Sequence, residues 1–293
     1  MTDKSFKTLD EQLDILKSRG LHINDEISAK NFLLNNNYYR VSGYSLTLRK
    51  NDQFFDNVSF EDIVDIYEFD HELRHILLKY IEVIEVNFKS IYAYEFSKVY
   101  GPDGYLNSSH FTDNQKYNNI LQKSEHQKET SLPHEAYLKH FIQELHQNIP
   151  LWAYVDLFTI ANISMLYAIT DESIKDTIAK DYGLAMSNNS RILGKFMHSM
   201  TILRNLCAHG SRLFNRLFEQ RPSLNRRERA LLRCNPDGSV DNSHLFGFIL
   251  IMKRLLDDEE YQALKKELIS LTNRISFVKM RYYGFPDNWK EVI

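Results

Sequence analysis

The segment Arg204-Asn205-Leu206-Cys207-Ala208-His209 combines three side chains that can act together on a phosphate group. An arginine presents a rigid fork of donors to phosphate oxygens, and a histidine exchanges protons near neutral pH. Breaking an RNA backbone without a metal ion requires both of these functions. Arg204, Asn205 and His209 are therefore the candidate catalytic residues.

Helical geometry predicts that one chain holds only half of such a site. At about 100° per residue, an apolar stripe is formed by Phe196, Met200, Leu203 and Cys207. The opposite, polar face is formed by His198, Thr201, Asn205 and His209. Arg204 lies about 140° around the helix from His209, so two copies meeting near an axis would supply these side chains from both sides. The competing interpretation is a simple helix cap, because a histidine just before Gly210 is common at a helix C-terminus.

The charge distribution adds a phosphate-binding surface to this motif. Residues Arg191 to Arg233 contain ten Lys and Arg against two Glu, a local net charge of +8, whereas Asp52 to Glu72 has a local net of −8. A basic segment around the motif predicts contacts to a nucleic acid backbone, and a solvated surface is the alternative. The candidate RNA contacts are Arg212, Asn215, Arg216, Arg226 and Arg227, with Arg40 and the stacking ring of Tyr39 further upstream.

A second motif, His71-Glu72-Leu73-Arg74-His75, matches H-E-x-x-H, in which two histidines bind zinc and the glutamate activates water. Asp70 and Arg74 place charges where a zinc-binding helix is usually uncharged, and no third ligand is obvious. A zinc metalloprotease is therefore the third alternative. The chain has no glycine-rich phosphate loop and no G-x-S-x-G motif, and Cys207 lies on the apolar stripe, where packing is its expected role.

Composition bounds the class of protein. The 293 residues are 43% hydrophobic and 26% charged, and the low counts of glycine (10) and proline (6) favour long helices. Two cysteines and an N-terminus, Met1-Thr2-Asp3-Lys4, without the apolar core of a signal peptide predict a cytoplasmic protein. The most apolar run, residues 151–170, contains Asp156 and Asn162, so we expect a buried helix there and no membrane association.

Hydrophobic periodicity predicts an all-α fold. A capping box at Thr8 and Glu11 opens the first helix, which Gly20 ends. Ser59 caps the longest helix, which runs to about Ser97 and carries an apolar stripe with spacings of three and four, formed by Leu73, Leu77, Tyr80, Ile84, Phe88 and Ile91. Further helices are expected at 25–34, 112–126, 134–147, 151–169, 172–180, 189–209, 243–256 and 259–273. Residues 212–241 are expected to form a long loop with a short helical piece. The predicted organisation is an N-terminal helical extension (1–52), a helical domain (53–275) and a C-terminal tail packed on it (276–293).

An ordered set of motifs over nearly the whole chain resembles the abortive-infection family of bacterial phage-defence proteins, of the AbiD/AbiF type, which carries a HEPN nuclease domain. The matching segments are Glu11-Gln12, Leu16-Lys-Ser-Arg-Gly20-Leu21, Tyr38-Tyr39-Arg40-Val-Ser42-Gly43-Tyr44, Tyr67-Glu-Phe-Asp70-His-Glu72-Leu73-Arg74, Ile84-Glu85, Arg204-Asn205-Leu-Cys-Ala208-His209-Gly-Ser-Arg212-Leu213-Phe-Asn215-Arg216 and Gly284-Phe285-Pro286-Asp-Asn-Trp289. In this pattern Asp70, Glu72, Leu73 and Arg74 belong together, and His75 need not be a ligand. Gly210 after the histidine departs from the polar side chain that the pattern favours.

The resemblance implies a HEPN-like helical bundle and a metal-independent endoribonuclease that needs no cofactor. The active site would form at a homodimer interface, with RNA as substrate and a small non-coding RNA as antitoxin. His209 would act as general acid and base in the attack of the ribose 2′-hydroxyl on the adjacent phosphate. Arg204 would neutralise developing charge, and Asn205 would orient His209 or bind a phosphate oxygen. HEPN folds also include members that bind RNA without cutting it, and this non-catalytic RNA-binding or sensing role is the alternative.

Overall fold

Helices account for nearly all the regular structure in the computed structural model, which describes residues 5–184, 189–235 and 237–293. The α-helices are α1 (Leu9–Ser18), α2 (Glu26–Asn36), α3 (Tyr38–Ser42), α4 (Phe60–Tyr100), α5 (Asn114–Ser131), α6 (Ala136–Lys139), α7 (Leu151–Tyr154), α8 (Ile160–Ile169), α9 (Glu172–Asp181), α10 (Asn189–Ala208), α11 (Arg226–Arg229), α12 (Phe246–Leu255), α13 (Asp258–Arg274) and α14 (Trp289–Val292). Within the described ranges the one sheet is an antiparallel pair, β1 (Arg49–Lys50) with β2 (Gln53–Phe54). The predicted all-α class is confirmed.

Side-chain caps set the predicted helix starts. The Thr8 hydroxyl accepts from the Glu11 amide and the Glu11 carboxylate accepts from the Thr8 amide, which is the capping box expected for α1. Ser59 and Asp62 form the same arrangement at the start of α4. α4 spans 41 residues and continues three residues past the predicted end at Ser97. The long helix that supports the rest of the fold was therefore evident from local signals.

The core is built around α4, against which α10 and α13 pack, and α10 also packs on α8 and α9. The predicted apolar stripe of α4 is buried at Leu73, Leu77, Ile84 and Phe88, each with no exposed surface. Ile91, at the end of the predicted stripe, is only partly buried. Because α10 lies between α4 and α8, one of its faces is fixed in the core and the other is left outside.

Two segments that were predicted to be continuous helices are each divided in the structure, so the prediction of continuity is wrong for both. Residues 151–169 divide into α7, a 3-10 turn (Val155–Leu157) and α8, because Thr159 caps a new helix by accepting a hydrogen bond from the Asn162 amide (3.2 Å). Residues 134–147 form α6 followed by a π-helical segment (His140–Glu144). A short helix that the periodicity did not predict, α3, follows α2, and Asn37 caps it by accepting a hydrogen bond from the Tyr39 amide (2.8 Å).

The remaining predictions concern the termini and the basic loop, defined as residues 212–241. The described residues of the basic loop are irregular apart from the bridge between Cys234 and Val240 and the four-residue helix α11, as predicted. None of the described helices combines the length and the apolar character needed to cross a membrane. Residues Met1 to Lys4, on which the signal-peptide expectation depends, lie outside the described residues, and the division at 52 and 275 stays a prediction.

Candidate functional site

The exposed face of α10 is the part of this helix that is available to a ligand. The four residues of the predicted apolar stripe, Phe196, Met200, Leu203 and Cys207, are all buried. His198, Asn205 and His209 are exposed, as the projection predicts, with Ile202 and Leu206 partly exposed. The prediction that Thr201 belongs to the polar face is wrong. It is buried, and its hydroxyl donates to the Met197 carbonyl (2.9 Å), so the local helix backbone satisfies it.

A Schellman motif ends α10 at the candidate histidine. The Ser211 amide donates to the Leu206 carbonyl (2.8 Å) and the Gly210 amide donates to the Cys207 carbonyl (3.0 Å), which makes His209 the C-cap residue. Gly210 has φ +63°, in the left-handed region that favours glycine. The glycine that departs from the family pattern therefore has a structural reason, since the chain turns sharply here.

The three candidate catalytic side chains are open to an external ligand. Arg204 is partly exposed, and its Nη1 lies 3.4 Å from Asn205 Oδ1. The imidazole of His209 is exposed and makes no polar contact with any described residue. No contact joins Arg204 to His209 within the described chain, which agrees with their wide separation around the helix. Completion of the site by a second copy of the chain stays a prediction.

Arg40 holds the end of α10 from a distant part of the sequence. Its Nη2 donates to the Gly210 carbonyl, and its Nε donates to the Tyr67 hydroxyl (3.3 Å). The guanidinium also lies over the Tyr67 ring, 5.6 Å from the centroid. Arg40 thus has protein partners next to His209, and contact with RNA stays a prediction for it. Its neighbour Tyr39 is 86% exposed.

The predicted RNA contacts after the motif occupy the turn that leaves α10. Arg212 packs against Gly43, where an added Cβ would come within 3.3 Å of Arg212 Nε, and its Nη1 donates to the Phe214 carbonyl (2.5 Å). Arg216 Nη1 lies 3.4 Å from the Arg212 carbonyl. Asn215 is exposed with φ +49°, and its amide donates to the Tyr282 carbonyl (3.0 Å). Arg212 and Arg216 are thus in contact with each other, three and seven residues after His209.

A buried carboxylate fixes the same turn from below. Asp70, with no exposed surface, accepts hydrogen bonds from the backbone amides of Leu213 (3.1 Å) and Phe214 (2.8 Å). It also accepts from the hydroxyls of Tyr44 (2.9 Å) and Tyr283 (3.0 Å). The guanidinium of Arg74, one turn further along α4, completes an ion pair with it. Four parts of the chain therefore meet at one carboxyl group.

The ion pair of Asp70 and Arg74 is almost entirely out of water. Desolvation raises the pKa of Asp70, while Arg74, the Leu213 amide and the two tyrosine hydroxyls oppose that change. All five groups around the carboxyl are donors, and only an ionised carboxylate can accept from all of them. This polar cluster therefore stabilises the turn after His209 in a single arrangement.

Asp70 and Arg74 were identified from the sequence as part of a family pattern, but their role in fixing the turn was missed. The contribution of Tyr44 and Tyr283 to the same cluster was missed as well. A signal was present, because Asp70 precedes Leu73 and Leu77 by three and seven residues and so interrupts an apolar stripe with a charge. A carboxylate in a stripe of this kind must be satisfied by donors from elsewhere in the fold. Which donors satisfy it could not be read from the spacing.

The basic segment, residues Arg191 to Arg233, forms no ion pairs between its own side chains. Every ion pair among the described residues joins side chains outside Arg191 to Arg233. Arg226 and Arg227 are exposed on α11, where Glu228 is occupied in capping by the Asn225 amide (2.8 Å). Arg191 interacts electrostatically with Glu172. The other nine cations make no ion pair with a described carboxylate, and together they produce a positive potential that attracts polyanions.

The H-E-x-x-H pattern has a different role in the fold. The fork of Arg274 in α13 holds both carboxylate oxygens of Glu72, the group that would have to activate water. The rings of His71 and His75 contact each other, with centroids 4.4 Å apart. The described residues contain no group of three or more side chains placed to hold a metal ion. The ion pair that joins α4 to α13 explains Glu72 without zinc.

Cys207 has the packing role expected from the stripe. It is buried against the cluster of Asp70 and Arg74, and burial raises the pKa of its thiol to about 12. A thiol in this state is almost entirely protonated at neutral pH and is a poor nucleophile. The candidate reactive groups of the motif are therefore the side chains on the exposed face of α10, and Cys207 is not one of them.

Comparison with known proteins gives one match. A sequence model whose description is Abi-like protein matches residues 31–215, a range that holds Arg40, Asp70 and the whole segment from Arg204 to Asn215. Searches of curated proteins and of solved structures gave no match. The matched range contains both the candidate catalytic residues and most of the groups that fix them.

Proposed function

Because this chain belongs to the Abi-like protein family, which supports a role in abortive infection, we propose that it is a metal-independent endoribonuclease of the HEPN type. Its substrate is RNA, and a second copy of the chain completes the site. The observation that carries the proposal is the combination of Arg204, Asn205 and His209 at the open end of α10 with a basic segment in which nine of ten cations have no carboxylate partner among the described residues. That combination suits a polyanion whose phosphate is to be attacked.

The proposed reaction uses the ribose 2′-hydroxyl as nucleophile. A base removes the 2′ proton, the 2′ oxygen bonds to the adjacent phosphorus, and the bond from phosphorus to the 5′ oxygen breaks. The leaving 5′ oxygen takes up a proton, so the products are a cyclic phosphate and a free 5′ hydroxyl. His209 has the chemistry of the general acid and base, and Arg204 offers a cation to the phosphate as charge builds. Asn205 orients the imidazole or donates to a phosphate oxygen.

The placement of these side chains on a single helix supports the proposal of a dimeric site. Arg204 and His209 make no contact with each other in the described chain, and they lie about 140° apart around the helix. Ile202 and Leu206 give the outer face of α10 a partly exposed apolar element between His198 and His209. Two such faces packed together would bury apolar surface and bring two sets of polar side chains to one axis.

Toxicity and its restraint complete the proposal. An enzyme that cuts cellular RNA in abortive infection has to be held inactive until a phage infects, and the proposed restraint is a non-coding RNA. The basic segment is able to bind such a polyanion as well as a substrate. If RNA of defined sequence copurifies with the protein, it is the candidate antitoxin.

The decisive experiment is an RNA cleavage assay in the presence of a chelator. We expect His209→Ala and Arg204→Ala to abolish cleavage, while His198→Ala, exposed on the same helix eleven residues earlier, retains it. Cleavage that persists in the first two variants would overturn the assignment, as would cleavage that stops only when chelator is added. If the wild-type protein binds RNA with a steep salt dependence, leaves it intact and is harmless on overexpression, it is a binding module instead.

A further inference from the structure

A small cavity with three cations lies beside α10, away from the candidate catalytic residues. It has a volume of about 400 Å³ and lies between α10 and the basic loop. Lys195 contributes from α10, and Arg221 and Arg229 contribute from the loop. Gln220 and Ser223 add polar donors to the same wall. The size suits a small polar group rather than a large apolar ligand.

The charges in this cavity are uncompensated. No Asp or Glu is among the described residues that line it, and none of its three cations is in an ion pair. Two acidic side chains of the loop, Glu228 and Asp241, are engaged elsewhere. Glu228 accepts from the Asn225 amide, and Asp241 accepts from His244 Nδ1 (2.8 Å) and the Ser243 hydroxyl (2.9 Å). A cluster of cations without counter-charges favours an external anion.

The walls of the cavity are fixed by contacts to the body of the protein. The buried side chain of Asn242 donates from Nδ2 to the Pro222 carbonyl (2.9 Å), next to Arg221. Pro222 also lies against Gly247 of α12, where an added Cβ would come within 3.0 Å of Pro222 Cγ. Arg221 therefore extends from a segment that is tied to the core, and α10 fixes Lys195 on the other side.

We propose that this cavity binds backbone phosphates of the RNA strand that is cut at His209. Lys195 is exposed on the same helix face as His198, Asn205 and His209. It precedes His209 by fourteen residues, which is about 21 Å along a helix at 1.5 Å per residue. The cavity thus binds the strand about 21 Å from the phosphate that is cleaved at His209. A free nucleotide would offer the cavity the same phosphate groups. The choice of RNA as the ligand therefore rests on the proposed function.

The test measures RNA binding without cleavage. The triple variant Lys195→Ala, Arg221→Ala, Arg229→Ala is made in a His209→Ala background and titrated with a labelled single-stranded 30-nucleotide RNA at several salt concentrations. Each lost phosphate contact reduces the slope of log K against log salt by about 0.7, so we expect the slope to fall by about 2 relative to His209→Ala alone. Affinity at low salt should fall by about tenfold or more.

The control removes the same charge elsewhere. Lys123→Ala, Lys180→Ala and Lys266→Ala lie on exposed positions of α5, α9 and α13 without ion pairs in the described structure. We expect this variant to retain the full salt slope, and circular dichroism confirms that both triple variants are folded. An unchanged slope in the cavity variant, or an equal loss in the control, would overturn the proposal.

A second arm separates RNA from free nucleotide. The same proteins are titrated with a labelled nucleoside triphosphate. Tight binding of the nucleotide that is lost in the cavity variant, with unchanged RNA binding, would overturn the assignment to RNA. Every measurement uses the His209→Ala background, so RNA binding is tested independently of cleavage. If the cavity binds RNA but the wild-type protein does not cleave it, only the proposed function is refuted.

Discussion

The guanidinium of Arg40 donates a hydrogen bond to the carbonyl of Gly210, 170 residues further along the chain. Helix C-termini leave carbonyl groups without partners inside the helix, and a cation is favoured there because the carbonyl dipoles point outward. Arg40 therefore stabilises the point at which α10 ends and His209 projects. This contact ties the small helix α3 to the candidate catalytic segment.

Replacement of Arg40 should loosen that end of α10. Arg40→Ala removes a charged hydrogen bond, a bond to the Tyr67 hydroxyl and a cation–π contact, and we expect a loss of about 2 kcal/mol in the free energy of unfolding. Urea unfolding followed by circular dichroism measures it. Tyr39→Ala, at the exposed neighbouring position, should stay within about 0.5 kcal/mol of the wild type. Equal effects from the two variants would contradict the role given to Arg40.

Asp70 should be the more critical member of its ion pair. Asp70→Ala leaves Arg74 without a counter-charge and two backbone amides without acceptors, so we expect a loss of about 4 kcal/mol or more. Arg74→Met leaves a carboxylate that still has four donors, and its cost should be smaller. Glu72→Gln, which breaks the partly exposed pair with Arg274, should cost about 1 kcal/mol or less. Thermal and urea unfolding of the three variants establish the order, and a larger loss in Arg74→Met would be inconsistent with this structure.

Gly210 and Gly194 should respond in opposite directions to alanine. Gly210→Ala forces a side chain into φ +63° and should cost about 1 to 2 kcal/mol. Gly194→Ala lies inside α10, where an added Cβ would meet only ordinary contacts with Tyr167 at 3.5 Å, and should gain about 0.5 to 1 kcal/mol. The free energies of unfolding from urea titrations give both signs. A Gly210→Ala protein as stable as the wild type would argue against the Schellman motif.

The outer face of α10 should control assembly. Ile202→Glu places a charge in the proposed interface, and we expect a monomer in sedimentation experiments that no longer cleaves RNA. Its thermal midpoint at low protein concentration should match that of the wild type, since Ile202 is only partly buried. Ile27→Glu, at a 74% exposed position of α2, serves as the matched control. A wild-type protein that is monomeric at all concentrations would remove the dimeric site.

The two cysteines should differ in reactivity. Burial holds the pKa of Cys207 at about 12, so at pH 8 only about one thiol in ten thousand is ionised. Cys234 is exposed. A thiol reagent should therefore modify one cysteine per native chain and two after denaturation, and Cys234→Ser should reduce the native count to zero. Rapid labelling of Cys207 in the native protein would show that the core around Asp70 is open.

Local sequence signals were sufficient for much of the fold. The capping residues Thr8 and Ser59 and the apolar stripe of α4 are written within a few residues of the structure that they form, and these predictions were confirmed. The same reasoning was wrong where tertiary packing decides. Thr201 lies on a face that looks polar, yet α10 is covered by helices on more than one side. Residues 151–169 looked continuous, yet the Thr159 cap begins a new helix.

What the sequence determined by itself is which residue types stand at the end of α10 and the helix that presents them, because residue types and 3.6-residue periodicity are local properties. What only the tertiary structure decided is how that end is fixed. Arg40, Asp70 and Tyr283 lie far apart in sequence and meet beside Gly210 and Leu213. Their meeting depends on the packing of α3, α4 and the C-terminal residues, and a buried carboxylate such as Asp70 does not specify in the sequence which distant donors will satisfy it.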